Sequence, residues 1–122
     1  MQVRCIRLIN PITGENESHN PHLTIGRTYV VLTIEIGVHR HLWFRLIGDD
    51  SPSPILEDTQ QFEIVDGRLP SRWIVWSDGK GFLMLAPQSW TYDGFWEQFF
   101  NNDEYARQEF RKEHALIINE TG

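Results

Sequence analysis

This sequence predicts an α+β fold, a small antiparallel, barrel-like sheet closed by C-terminal helices, and three observations carry that expectation. Between Thr24 and Val65, β-branched and aromatic residues alternate with polar ones, the period of strands with one buried face. Gly, Asp and Pro break that stretch at short intervals, which is turn chemistry rather than helix chemistry. Beyond Pro87 the apolar spacing lengthens to that of a helix.

Taken in order, Gln2 to Ile9 reads as a leading strand with Val3 and Cys5 on one face. Asn10-Pro11 ends it, and the Asn-, Gly- and Pro-rich run to His22 is a loop. Thr28 to Ile36 reads as one strand, with Val30, Leu32, Ile34 and Ile36 on a common face. After a turn over Gly37–Arg40, Leu42 to Ile47 completes a hairpin. Asp49 to Pro54 is expected to be a loop, because its two prolines remove ladder donors. A short strand resumes at Gln61 to Val65, with Phe62 and Ile64 on one face. Trp73–Trp76 and Phe82–Ala86, joined by a Gly-containing turn, form a second hairpin and bring the strand count to six.

In the tail, Phe95, Trp96, Phe99 and Phe100 fall on one side of a helix, with Asp93 as the expected N-cap. Asn101 and Glu104 resemble a capping box for a second helix, whose Ala106, Phe110 and Ile117 share a stripe. The aromatic face requires a cover, and the sheet is the available one. The chain of 122 residues, 40% hydrophobic and 12% aromatic, therefore reads as a single domain, β-rich over 1–90 and helical over 91–122.

Charge narrows the function classes. The net charge is −6, and neither the first ninety residues nor the tail is basic overall, which disfavours anionic partners such as membrane surfaces or nucleic acid. Cys5 is the one cysteine, so no internal disulfide forms. With no apolar run of membrane-spanning length and no signal peptide in the Arg-interrupted start, the expected location is cytoplasmic.

No phosphate loop, nucleophile elbow or helical carboxylate pair appears, so the chain is read as a binding module rather than an enzyme, with no cofactor. The pairs His19/His22 and His39/His41 have spacings open to a metal, yet no Cys or carboxylate ligands accompany them, and no metal is expected. Cys5 sits in a strand, where a buried thiol is the simpler reading than a nucleophile. Two surfaces remain. Asp49, Asp50, Glu57, Asp58, Glu63 and Asp66 lie between Leu46 and Gly67 with no Lys or Arg among them, and suit either a solubilising edge or the capture of a cationic protein partner. Arg40, Trp43, Arg45, Arg72 and Trp73 interleave cations with aromatics, as single-strand nucleic-acid clamps do; Arg stems packed over Trp faces would give the same pattern.

Residues 23–65, with Tyr29-Val30-Val31-Leu32, Trp43 to Ile47, the acidic turn and Phe62-Glu63-Ile64-Val65, resemble small Src homology 3-like barrels. The whole chain, acidic and β-rich with an aromatic helical tail, resembles the immunity proteins of bacterial polymorphic toxin and contact-dependent inhibition systems. That resemblance implies a stoichiometric inhibitor of a cognate, basic toxin. The alternative is a single-stranded nucleic-acid-binding β-barrel.

Overall fold

The computed structural model describes residues 1–37 and 41–121; His39 and Arg40, with most of the turn expected there, lie outside them. Among the described residues eight strands and two α-helices follow one another: β1 (Gln2–Cys5), β2 (Thr28–Val30), β3 (Thr33–Ile36), β4 (Leu42–Ile47), β5 (Pro54–Asp58), β6 (Phe62–Asp66), β7 (Trp73–Ser77), β8 (Leu83–Pro87), α1 (Phe95–Phe100) and α2 (Glu104–Thr121). The α+β class holds, but the strands form two open antiparallel sheets rather than one closed barrel. One has the order β2-β1-β6, the other β5-β4-β3-β8-β7.

The strand expected over Thr28–Ile36 is cut in two, and the cut explains the two sheets. Val31 N donates to Met1 O, on the three-stranded side, while Leu32 N donates to Arg45 O, on the five-stranded side. Both side chains are fully buried, in different cores. Consecutive residues of extended chain point to opposite faces, so a segment passing between two layers can bury two neighbours at once.

One core lies between the sheets. Val3, Cys5, Tyr29, Val31 and Phe62 meet Phe44 and Leu46, with Ile34 and Ile55 packed alongside. The other lies between the five-stranded sheet and the tail, where Leu32, Trp90, Phe95, Phe99, Ala106, Phe110 and Ile117 cluster with Val30, Ile47 and Trp96 against them. The sheet is thus the cover that the aromatic tail requires. Burying each such large side chain contributes about 1.5–3 kcal/mol.

Five local expectations change. The loop expected to continue past Pro54 instead gives way to edge strand β5, with Pro54 as its first residue, a place where a missing N–H breaks no ladder bond. In β6 only Phe62 is buried and Ile64 is exposed, and beyond Ile64 this edge strand has a register irregularity against β1. Helix α1 is capped by Gly94, not Asp93, at φ +84°, a conformation that glycine adopts without strain. Helix α2 is capped by Asp103, whose Oδ2 accepts from Ala106 N at 2.9 Å, and Asn101 closes α1 instead. Phe100 turns outward and is half exposed.

Candidate functional site

Sheet register builds the site. Asp58 on β5 stands opposite Trp43 on β4, Trp43 opposite Glu35 on β3, Glu35 opposite Met84 on β8, and Met84 opposite Trp76 on β7. Directly opposed residues share a face, so this row crosses the whole sheet on one side. Over its last three members lies a cleft of about 720 Å³, walled by the β7–β8 turn on one side and by the segment Trp90–Glu97 on the other. Its aromatic lining is Trp76, Phe82, Trp90, Tyr92, Phe95 and Trp96. Its charged lining is Glu35, Asp78, Asp93 and Glu97, against Lys80.

These charges differ in their freedom. Glu35 is buried and committed: its Oε2 accepts from Arg45 Nε and from Thr33 Oγ1, each at 2.8 Å. Asp78 Oδ1 accepts from Lys80 N and Phe82 N, which shapes the turn. Asp93 and Glu97 are exposed and form no ion pair among the described residues. The cleft therefore joins a large apolar wall to two unneutralised carboxylates, within the size range of ligand sites.

The acids expected as a partner surface are each engaged by groups of the fold. Asp49 Oδ1 accepts from Arg27 at 2.6 Å and from the Tyr29 hydroxyl at 2.9 Å, and its Oδ2 from Thr24 Oγ1 at 2.6 Å. Burial pushes the Asp49 carboxyl up, but those three donors outweigh it and hold it below its ordinary value. Asp50 pairs with His22 at 2.9 Å, Glu63 with Arg4 at 2.8 Å, and Asp66 with Arg68 at 2.6 Å. The Arg68 bonds hold Asp66 well below the usual carboxylate range. Asp58 is buried, caps the 3₁₀ turn Thr59–Gln61 and lies 3.3 Å from His41. Glu57 accepts from Gln61 at 3.0 Å, and its burial pushes its carboxyl up. Most of these acids are spent on the fold.

The aromatic–cation set fares similarly. Arg45 is buried between the Glu35 carboxylate and the Trp96 ring, so its guanidinium is committed inside the fold. Its guanidinium over the Trp96 ring is a packing arrangement internal to the fold. Arg72 donates to Glu113 on α2 at 2.5 and 2.9 Å, and the Trp73 indole donates to Leu32 O at 3.1 Å. Trp43 lies apart, beside Leu56 and Gln61 in a smaller hollow of about 280 Å³ that also holds His19 and His22.

Among the described residues no three His, Cys, Asp or Glu side chains gather closely enough to hold a metal ion. The Cys5 thiol is buried, and that burial pushes it up, against the opposing bond to the Arg7 carbonyl. No described helix is long and apolar enough to cross a membrane.

The residues that sequence reasoning missed are Trp76, Tyr92, Asp93 and Glu97 acting together. The signal was present as acids interleaved with aromatics over Tyr92–Glu97, but Trp76 joins them only through sheet register. No protein-family model matches this chain, and no curated protein or solved structure is significantly similar to it.

Proposed function

We propose that this chain is a non-catalytic protein-binding module that captures a cationic protein partner, in concrete form an immunity-type inhibitor that neutralises a basic toxin stoichiometrically. The observation that carries the reading is the cleft in which Asp93 and Glu97 stand unpaired beside Trp76, Tyr92 and Trp96. Aromatic walls attract Lys and Arg side chains through their faces, and carboxylates at the rim steer such groups in and hold them. The net charge of −6 acts in the same direction at long range. The partner-binding residues are therefore moved from the Asp49–Asp66 set to this cleft. A cytoplasmic location goes with the reading, since the lone thiol is buried and unpaired.

Immobilised wild-type protein should retain a partner of net positive charge, in one-to-one ratio by calorimetry. The variant Asp93→Lys/Glu97→Lys should bind that partner at least about tenfold more weakly at low salt, with the gap narrowing as salt rises. Equal affinity for both proteins would overturn the cleft as the site. Tight, salt-sensitive binding of a labelled single-stranded oligonucleotide by the wild type would favour the nucleic-acid alternative.

A further inference from the structure

β7 is the last strand of its sheet, and its pairing reveals which of its backbone groups are unused. Asp78 N donates to Phe82 O at 3.2 Å, so the opposed pair 78/82 is of the hydrogen-bonded kind. Antiparallel pairs alternate in kind, which makes Trp76–Met84 and Ile74–Ala86 hydrogen-bonded as well. Trp73, Val75 and Ser77 oppose Pro87, Leu85 and Leu83 in the other kind of pair. Pro87 lacks an N–H and could not serve in a bonded pair, which fixes the assignment independently. The backbone groups of Val75 and Ser77 consequently face away from the sheet. The Trp73 N–H, which points the same way, is already used by Pro70 O at 3.2 Å.

Among the described residues this edge shows no bulge. Trp73–Ser77 holds no charge and no proline, and Ile74 and Val75 are exposed, Val75 at 64%. Natural edges of this kind are normally blunted by Lys, Pro or a bulge. Its far end, Trp76 with Ser77, is also a wall of the cleft.

We propose that the partner docks by adding an extended segment to β7 as a sixth strand of this sheet, with a Lys or Arg opposite Trp76. A residue opposite Trp76 shares its face, so its side chain passes over the indole toward the cleft and the free carboxylates. Backbone bonds to Val75 and Ser77 supply affinity, and the basic side chain supplies register. A second copy of this chain fits less well. Its own β7 carries no cation to offer, and two chains of charge −6 repel.

The inference rests on the cleft reading, and the test separates the two. The probe is a set of synthetic peptides, Thr-Val-Thr-Arg-Thr-Val-Thr with the arginine moved through each position, and its norleucine counterpart. At least one arginine register should bind saturably, and the norleucine peptide about tenfold more weakly. In isotope-labelled wild-type protein, the Val75 and Ser77 amides should exchange with solvent freely, then become protected when the peptide binds. Val75→Pro removes one outward N–H while sparing every β7–β8 bond and should weaken the peptide about tenfold; Val75→Thr should not. Peptide binding that leaves the two amides unprotected overturns strand addition while the cleft survives. Protection that ignores Asp93→Lys/Glu97→Lys overturns the cleft while strand addition survives. Failure of the whole series to bind, or amide protection in the free protein that grows with its concentration, overturns the proposal.

Discussion

The Arg45 guanidinium lies 3.9 Å from the centroid of the Trp96 ring while its Nε donates to Glu35 Oε2 at 2.8 Å. Both charged side chains are 8% exposed, so the pair is held inside the interface between the five-stranded sheet and the tail. Removing one member of a buried pair leaves the other uncompensated, at a cost of about 3–5 kcal/mol. Arg45→Ala should therefore unfold at markedly lower urea than wild type. The double variant Glu35→Gln/Arg45→Met should recover much of that loss, because a well-packed neutral pair of similar volume is close to neutral. Strictly additive effects of the two substitutions, measured by a double-mutant cycle, would show that the pair is not coupled.

Trp96 carries the same interface from the helix side. It contacts the rings of Trp90, Phe95, Phe99, Phe100 and Phe110. Trp96→Ala should cost about 3–5 kcal/mol. Truncation after Gln88 should leave a chain without cooperative thermal unfolding, since Leu32 and Ile47 lose their cover. A truncated protein that melts like the full chain would refute the role assigned to the tail.

The adjacent acids Asp49 and Asp50 should respond very differently. Asp49 accepts three side-chain bonds that tie the loop before β2 to the end of β4, and Asp49 N donates to His22 O at 2.8 Å. Gly48 permits that approach, because a Cβ there would lie 2.7 Å from His22 O. Asp49→Ala should lower stability by about 1–3 kcal/mol, leaving buried donors such as the Tyr29 hydroxyl unsatisfied. Asp50, exposed and paired with His22 alone, should cost under about 1 kcal/mol when replaced by Ala. Denaturation midpoints of the two single variants decide the matter. Reversing Asp49, Asp50, Glu57 and Asp58 together to Lys is accordingly expected to disrupt the fold, not merely to recolour a loop.

How much of this was legible in the sequence depends on whether the controlling contact was local. Alternation located the strand cores and helical spacing located the tail stripe, because both are set within a few residues. Alternation could not show that Val31 and Leu32 serve different cores, since a strand that changes sheets keeps its period across the change. Arg45 reads as an exposed cation for a related reason: its partner Glu35 lies ten residues back, and its aromatic cover lies in α1. Pro52 and Pro54 concealed β5, which an edge position tolerates. The cleft was hidden because it needs the β3–β8 and β8–β7 registers together.

His114 should give the fold an acid-sensitive limb. Its ring stacks on Phe110 with centroids 5.4 Å apart and planes 15° from parallel, and burial pushes its pKa below the ordinary 6.5. The folded protein thus holds the His114 proton less tightly than the unfolded chain does. Protonation therefore favours the unfolded state: stability is full above about pH 6.5, declines as pH falls through that value, and levels off once the folded form also binds the proton. His114→Gln removes the titrating group while keeping a side chain of intermediate size. Urea midpoints of both proteins, taken between about pH 7.5 and about pH 5, should converge at the alkaline end or favour wild type, through its ring stack. Toward the acid end, wild type should lose more stability than the variant. The other histidines are common to both proteins and cancel in the difference. Parallel pH profiles would show that His114 contributes no linkage, and a wild type that gained on the variant as pH fell would reverse the sign assigned here.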